Sequence, residues 1–350
     1  MTEEVVTLLS DTETQPTRGM RAAMMAAEVG DEQKNEDPTV RLLQDRVSEL
    51  LGKESALWLP SGTMCNLVAV KSQTRPGDAI VADWMAHVIR AESGGSALAS
   101  GVRVEPIQTE RGVFSVEELS EAVDRTVAVP PPYGQQVRLI CVEQTHNFGG
   151  GAIWSLDELH AVSDYAHKHQ MLLHMDGARL LNACVATGIS ATDFSAAVDS
   201  VWIDFTKGLG APIGAVLAGT TDFLREARRY KQLFGGAMRQ AGIAAAGCLY
   251  ALEHHVDRLT EDHEHARLLA RELLTVNGIH VHTPMPETNM VFFDVQALGV
   301  SNERFVNLLA ASGVRMSQTG RTIRAVTHLD VSKRGIERAL DVVRQVATKC

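Results

Sequence analysis

The chain has 350 residues, which is too long for one compact core and long enough for two domains. Hydrophobic residues make up 45% and charged residues 22%, close to the averages of globular proteins. The net charge of −10 disfavours nucleic acid and anionic membrane surfaces as partners. No basic segment followed by an apolar run opens the sequence, and no apolar run reaches the ~18 residues of a membrane span. We therefore expect neither a signal peptide nor a transmembrane helix.

The five cysteines, at positions 65, 141, 184, 248 and 350, are scattered, and none forms a Cys-x-x-Cys motif. Several lie in apolar runs, where a free cysteine behaves as a small hydrophobic residue. An odd number without paired spacing is typical of reduced thiols. We therefore predict a cytoplasmic protein.

Apolar and β-branched runs alternate with helical patterns over the first two thirds of the chain. After a polar, irregular start, helices are predicted at 20–28 and 39–51, the second one beginning after Pro38. Strands are predicted at 55–59, 79–82, 102–107, 137–143, 171–175, 200–205 and 214–218. This alternation predicts an α/β domain with a mostly parallel sheet covered on both faces.

The pattern changes after residue 242. One long helical stretch is predicted at 243–274, followed by short strands mixed with helices. We interpret this as a large domain over residues 1–250 and a smaller C-terminal α+β domain over residues 251–350, with the long helix as the hinge.

Two predicted strands deliver a carboxylate and a lysine to the same edge of the sheet. Asp176 follows the run at 171–175, and Lys207 follows the run at 200–205; each is followed by glycine. Open α/β sheets bind ligands at the carboxyl ends of their strands. A lysine that attaches pyridoxal phosphate (PLP), with a carboxylate for its pyridine nitrogen, suits this pair. The alternative is a salt bridge that caps the sheet.

The segment after the strand at 55–59 predicts a phosphate site. Gly62, Thr63 and Met64 open a helix, and free N–H groups at a helix N-terminus bind anions. The alternative is an ordinary helix cap at Ser61.

Two histidines lie at predicted strand ends and are candidate catalytic residues. His146 follows the strand at 137–143, where an imidazole could stack on the pyridine ring, and His87 follows the strand at 79–82. Four further histidines occur at 254, 255, 263 and 265 on the long helical stretch. Their spacing lacks a convincing ligand geometry, so we predict no metal site.

Two arginines are candidates for binding a carboxylate. Arg179 lies three residues after Asp176, near the cofactor's phenolic oxygen or the substrate carboxylate. Arg324 lies among β-branched residues of a late strand, where burial without a partner is costly. A bidentate contact with a substrate carboxylate would satisfy it, and a surface ion pair is the alternative.

Together these residues resemble the low-specificity L-threonine aldolases. The resemblance rests on motifs that keep their order along nearly the whole chain, at residues 10–12, 37–39, 62–63, 143–147, 174–179, 206–210, 236–240 and 326–330. It implies the aspartate-aminotransferase-like fold (fold type I) and PLP bound to Lys207. It also implies Asp176 at the pyridine nitrogen, His146 stacked on the ring, and His87 near the β-hydroxyl of the substrate.

The same resemblance implies how the substrate and the subunits are arranged. Ser10, Arg179 and Arg324 would hold the carboxylate of an amino-acid substrate. Members of the family are typically tetramers with shared active sites, so we expect a homodimer or homotetramer in which Arg239 enters a neighbour's site. The implied reaction cleaves L-threonine, L-allo-threonine or a related β-hydroxy-α-amino acid to glycine and an aldehyde. β-Elimination, transamination and a non-catalytic PLP-binding role are the alternatives.

The chain departs from the family pattern in three places. Leu9 stands where an arginine is usual, and Lys34 and Asn35 stand where a Tyr-Gly pair is usual. Gln232, next to Lys231, stands where the family usually has a loop lysine. The first two changes lie in segments expected near the substrate or a neighbour's active site, so they bear on which aldehyde is released.

Overall fold

The computed structural model describes residues 5–130 and 132–350. The first four residues, on which the prediction about a signal peptide partly rests, lie outside this range. The helices are α1 (Arg18–Met25), α2 (Pro38–Leu51), α3 (Gly62–Gln73), α4 (His87–Arg90), α5 (Val116–Val127), α6 (Leu156–Lys168), α7 (Leu180–Thr187), α8 (Ala191–Ala196), α9 (Thr221–Leu233), α10 (Gly242–His254), α11 (Leu259–Leu273), α12 (Asn302–Ala311) and α13 (Lys333–Ala347). The strands are β1 (Val6–Thr7), β2 (Ser55–Leu59), β3 (Ala79–Asp83), β4 (Arg103–Ile107), β5 (Val137–Glu143), β6 (Leu172–Gly177), β7 (Ser200–Asp204), β8 (Ala215–Gly219), β9 (His280–Val281), β10 (Met290–Asp294), β11 (Val314–Arg315), β12 (Ser317–Thr319) and β13 (Thr322–Val326).

A seven-stranded sheet forms the centre of the molecule, in the order β2-β8-β7-β6-β5-β3-β4. The five neighbouring strands β7, β6, β5, β3 and β4 pair in parallel. Strand β8 runs antiparallel to both of its neighbours, β7 and β2. The sheet is therefore mostly parallel, as predicted. Strands β3 and β7 are buried along their whole length, as expected when helices cover both faces.

Local signals explain where several helices begin. Helix α2 starts at Pro38, and the Asp37 side chain accepts a hydrogen bond from the Val40 amide (3.0 Å). Helices α5 and α6 both begin with a capping box, in which a serine and a glutamate three residues later exchange hydrogen bonds with the backbone.

A second core surrounds a four-stranded antiparallel sheet in the order β12-β13-β10-β9. Its apolar residues come from the C-terminal third of the chain and also from Val6 and Leu8. Strand β1 pairs with β11, so the N-terminal segment packs with the C-terminal core before entering the larger one. The division at residue 250 remains a prediction.

The single long helix predicted at 243–274 is wrong, because two helices, α10 and α11, occupy this stretch. The break follows His255, whose Nδ1 hydrogen-bonds the carbonyl oxygen of Leu209 (2.7 Å). A tertiary contact, rather than proline or glycine, ends the first helix. Leu259 packs in the larger core, and Ala266 and Leu269 pack in the smaller one, so α11 contributes to both.

Within the described ranges, every helix is too short or too polar to cross a lipid bilayer.

Candidate active site

Four neighbouring parallel strands each carry a carboxylate at the carboxyl end: Asp83, Glu143, Asp176 and Asp204 on β3, β5, β6 and β7. A cavity of about 400 Å³ lies at this edge, between the two cores. Its lining includes the predicted residues Ser10, Gly62, Thr63, His87, Asp176, Arg179, Lys207 and Arg324. Strand ends therefore bring together most of the residues predicted from the sequence.

Lys207 lies three residues beyond β7 with its side chain 16% exposed, so its amine is accessible from the cavity. Its Nζ is 2.5 Å from Asp204 Oδ2. The other oxygen of Asp204 accepts hydrogen bonds from the Thr206 amide (2.9 Å) and hydroxyl (2.8 Å). The turn after β7 thus fixes the position of the Asp204 carboxylate, and this carboxylate fixes the position of the Lys207 amine.

Asp176 is a buried carboxylate that forms no ion pair within the described part of the chain. Its Oδ1 accepts a hydrogen bond from the Ala178 amide (3.1 Å) and its Oδ2 accepts one from Asn66 Nδ2 (2.8 Å). Burial and the nearby charge of Glu143 raise the pKa of Asp176 to about 7, although Lys207 acts in the opposite direction. A cationic N–H donor in the cavity would stabilise this carboxylate.

The start of α3 forms one wall of the cavity. Ser61 caps the helix, and the N–H groups of Gly62 and Thr63 have no partner within the helix. A Cβ atom at Gly62 would lie 2.3 Å from the ring of Trp202, so only glycine fits here. Met64 does not line the cavity: its N–H donates to Ser61 Oγ (3.3 Å) and its sulfur packs against Gly236. The anion site at 62–64 remains a prediction, and of these residues only Gly62 and Thr63 line the cavity.

His87 lines the cavity, and its Nδ1 is 2.8 Å from Glu92 Oε1. The backbone amide of His87 donates to Glu143 Oε2 (2.7 Å), which fixes the start of α4 against β5. Burial would lower the pKa of His87, but the hydrogen bond to Glu92 and the charges of Asp176 and Glu143 raise it overall.

His146 lies behind the cavity wall and is 1% exposed, so its placement does not suit the predicted stacking on a cofactor ring. A bridge to Ala152 turns the chain here and directs the imidazole toward Gly112 and Gly149. Its Nδ1 accepts a hydrogen bond from the Gly149 amide (3.0 Å), and its Nε2 is 3.2 Å from Asp83 Oδ1. Burial is outweighed by Glu143 and Asp83, which raise the pKa of His146.

Arg324 projects into the cavity from β13 of the smaller sheet. Its Nη1 donates to Asn147 Oδ1 (2.9 Å) and its Nη2 donates to the carbonyl oxygen of Leu9 (3.2 Å). Its buried Nε has no acceptor within the described residues, and no carboxylate there pairs with it. Burial and the nearby charge of Arg179 lower the pKa of Arg324. The guanidinium is thus placed to bind an anion.

Arg179 lines the cavity but already has a partner. Its Nε and Nη2 each donate to one oxygen of Asp11 at 2.7 Å, in a bidentate pair buried from solvent. Burial alone would raise the pKa of Asp11, but the charge of Arg179 holds it well below its usual range. Ser10, beside Asp11, lines the cavity and caps a short 3₁₀ helix through its Oγ. Arg324 is therefore freer than Arg179 to bind a substrate carboxylate.

The loop that carries Arg239, the residue predicted to enter a neighbour's site, is joined to the loop around Asp31 within this chain. The Glu32 amide donates to the Arg239 carbonyl oxygen (2.8 Å), and Arg239 Nη1 pairs with Asp31 Oδ2 (2.9 Å). The buried Nζ of Lys231 donates to Glu32 Oε1 (2.6 Å), whereas Gln232 is exposed. We call residues 30–38 and 235–242 the tied loops. Arg239 does not line the cavity of its own subunit.

Asn66, Glu92 and Asp204 are among the residues of the site that the sequence interpretation missed. Asn66 and Glu92 lie behind the cavity wall, and Asp204 lines it. The sequence does contain a signal for Asp204, since this residue ends an apolar strand three residues before Lys207. Glu92 lies five residues after His87, but nothing in the local sequence shows that it is buried.

The described residues contain one group whose atoms could ligate a metal by type: His87, Glu92 and Asp176, all within 4.8 Å of one another. The Asn66 amide donates to both carboxylates of this group. A donor placed between the two acids disfavours a cation there. We interpret the group as a hydrogen-bonded network.

These features fit PLP. Within the described residues Asp176 forms no ion pair, the start of α3 presents free N–H groups, and Lys207 lines the same cavity. The fold is that of fold type I, so the fold class predicted from the sequence is confirmed.

Comparison with known proteins places the chain more narrowly. Residues 7–297 match the family described as β-eliminating lyase. The chain is 36% identical over 349 residues to low-specificity L-threonine aldolase 1 of Arabidopsis thaliana, covering 97% of this chain and 96% of that protein. It is 35% identical over 332 residues to low specificity L-threonine aldolase of Escherichia coli K12, covering 94% and 95%. The chain belongs to the β-eliminating lyase family and is a PLP-dependent lyase.

A solved structure supports the fold at lower sequence identity. The threonine aldolase of Leishmania major superposes with a TM-score of 0.82 at 20% identity, covering 97% of this chain and 99% of that one.

Proposed function

We propose that this chain is a PLP-dependent aldolase that cleaves L-threonine, L-allo-threonine or related β-hydroxy-α-amino acids to glycine and an aldehyde. One observation carries the proposal: a single cavity combines Lys207 and Asp176 with an imidazole, His87, and a guanidinium without a carboxylate partner, Arg324. The names of the relatives from Arabidopsis thaliana and Escherichia coli support it.

Three parts of the chain would hold the cofactor. Lys207 would bind it covalently, Asp176 would accept a hydrogen bond from the pyridine nitrogen, and the N–H groups of Gly62 and Thr63 would bind the phosphate. PLP bound there would supply the electron sink for the bond that breaks at Cα.

Arg324 and Ser10 would orient the substrate. A bidentate contact from Arg324 to the α-carboxylate fixes rotation about the bond between nitrogen and Cα. Such orientation presents the Cα–Cβ bond for cleavage rather than another bond at Cα. Arg179 has an indirect part in this orientation. It binds both oxygens of Asp11 and so fixes the turn that carries Ser10.

His87 is the candidate for removing the proton from the β-hydroxyl, either directly or through an ordered water. It lies on the cavity side of the wall, whereas His146 lies behind it. We therefore propose that His87, and not His146, contacts the cofactor ring and the substrate. His146 would instead support the wall beside Glu143.

Assembly and location are parts of the same proposal. The exposed Arg239, held on the tied loops, suits a role in a neighbouring subunit's site, in a homodimer or homotetramer. The five cysteines form no disulfide in the structure, as expected for a cytoplasmic protein.

A panel of β-hydroxy-α-amino acids tests the reaction. We expect equal amounts of glycine and aldehyde, measured by chromatography and by reduction of the aldehyde with alcohol dehydrogenase. A keto acid with free ammonia, such as 2-oxobutyrate from threonine, would instead indicate β-elimination, and a β-hydroxy keto acid without free ammonia would indicate transamination. A purified protein that retains PLP but turns over no member of the panel would contradict the proposed function.

Replacing Arg324 with alanine tests substrate binding. We expect kcat/KM to fall about 30- to 1,000-fold, which is roughly 2–4 kcal/mol for a charge-assisted bidentate contact. The visible spectrum of bound PLP should be retained, because other residues hold the cofactor. Arg324→Lys should restore little, since lysine lacks the planar fork.

The matched control for this experiment is Arg321→Ala. Arg321 is an exposed arginine close to Arg324 in the sequence and does not line the cavity. Near-normal turnover in Arg324→Ala would place the carboxylate elsewhere, with Arg179 as the first alternative.

A further inference from the structure

A chain of hydrogen bonds joins Asp176 and His87, two ionisable groups that both line the cavity. Asn66 Nδ2 donates to Asp176 Oδ2 (2.8 Å) and to Glu92 Oε1 (2.7 Å). The same oxygen of Glu92 is 2.8 Å from His87 Nδ1. An amide NH₂ has two hydrogens, so Asn66 serves one carboxylate with each.

The orientation of the Asn66 amide is fixed by its other contacts. Its Oδ1 accepts a hydrogen bond from Trp202 Nε1 (2.7 Å) and lies 3.2 Å from His174 Nε2. Burial lowers the pKa of His174 to about 3, so that ring is neutral. A flipped amide would place its oxygen against two carboxylates and its NH₂ against the indole N–H. Only the observed orientation satisfies all four groups.

Glu92 therefore has a defined position behind His87, with its side chain only 2% exposed. Because Nδ1 of His87 faces a carboxylate, neutral His87 carries its proton on Nδ1. Its Nε2 is then left with a lone pair. A carboxylate that fixes the tautomer of a basic histidine is a recurring arrangement in enzymes.

We propose that Glu92, held by Asn66, is a positioning residue that keeps His87 in the Nδ1–H tautomer and presents Nε2 as the proton acceptor for the substrate hydroxyl. The role of His87 as acceptor rests on the proposed function, but the coupling between Glu92 and His87 does not. Glu92 is connected to the proposed cofactor residues through Asn66, whose amide also donates to Asp176.

Several charges face His87 and set the sign of the expected pH dependence. Glu92, Glu143 on β5 and Asp176 on β6 all favour its protonated form. The positive charge of Lys207 has the opposite effect in this cluster, since it lowers the pKa of Asp176. His87 accepts a proton only when neutral, which is above its raised pKa. Removing the charge of Glu92 lowers that pKa, so the acidic limb of the activity profile moves to lower pH.

The experiment uses Glu92→Gln, which keeps the size and the acceptor oxygen but removes the charge. The first measurement is the pH dependence of carbethoxylation of His87 in the PLP-free protein, followed by peptide mass spectrometry. Only neutral imidazole reacts, so its midpoint should move to lower pH in the variant. The second measurement is kcat/KM against pH for the holoenzyme, whose acidic limb should move in the same direction. Glu92→Ala, which also removes the acceptor, should lose at least about 10-fold in kcat.

Glu105→Gln is the matched control. Glu105 lies on the edge strand β4 and is a buried glutamate that pairs with Arg103 and Arg125. Its substitution should leave the midpoint of His87 unchanged. An unchanged midpoint in Glu92→Gln would overturn the proposal. A shifted midpoint in a protein that releases no glycine or aldehyde would support the positioning role of Glu92 while refuting the proposed function.

Discussion

Lys207→Ala is expected to abolish covalent attachment of PLP and to lower turnover by at least about 1,000-fold, in line with the loss of a covalent catalytic residue. The wild-type protein should absorb visible light, and borohydride should fix the cofactor on the peptide that contains Lys207. The variant should lose both signals after gel filtration. Structurally, Lys207 is the lysine that lines the cavity, opposite Asp176.

Lys168→Ala provides the comparison for this variant, because Lys168 ends α6 and is exposed. It should retain the colour, the reduced adduct and the activity. Finding the adduct on any lysine other than Lys207 would refute the assignment of the cofactor lysine.

Asp11→Asn is expected to lower the free energy of unfolding by about 3–5 kcal/mol, the usual cost of leaving one partner of a buried ion pair. The reason is that Arg179 keeps its charge, while the two charge-assisted hydrogen bonds at 2.7 Å are lost or weakened. Urea denaturation followed by circular dichroism measures the change.

Asp222→Asn is the matched control, since Asp222 pairs with Arg225 on the surface and both side chains are well exposed. Exposed pairs contribute about 0–1 kcal/mol, so this variant should unfold like the wild type. The folded-state pKa of Asp11 lies below its unfolded value of about 3.9, so its contribution is present above that pH and is lost only as the pH falls through the folded value. The difference between Asp11→Asn and wild type should therefore persist from pH 5 to 8. Equal stability of the two variants would contradict a role for the buried pair.

The ends of the strands are the part of the molecule that the sequence predicts best, because a strand buried on both faces is a continuous run of apolar residues. The run at 200–205 predicted a strand that spans Ser200–Asp204, and the run at 137–143 was predicted at its observed bounds. Since parallel strands share one edge, the positions of Asp176 and Lys207 followed from the runs at 171–175 and 200–205.

Side-chain direction and tertiary contacts were less predictable. His146 does follow a strand, but after the turn that pairs it with Ala152 its ring is buried against Gly112 and Gly149. Asn66 contacts Asp176 only because α3 packs across the sheet, 110 positions away in sequence. The break between α10 and α11 depends on a carbonyl group at Leu209. Such contacts are properties of the packed molecule, and a local pattern does not encode them.

The tied loops bear on how subunits would meet. Glu32 holds them together inside one chain, because its carboxylate pairs with Lys231 of α9 and accepts a hydrogen bond from the Met238 amide. Arg239 therefore stands on a surface that is already ordered. Partners that dock through preformed surfaces need no folding step, and their encounter is limited by diffusion and orientation, with rate constants of about 10⁵–10⁷ M⁻¹s⁻¹. Weakening the Lys231–Glu32 pair would leave this surface to be ordered during the encounter, which would slow association even if the final contacts were the same.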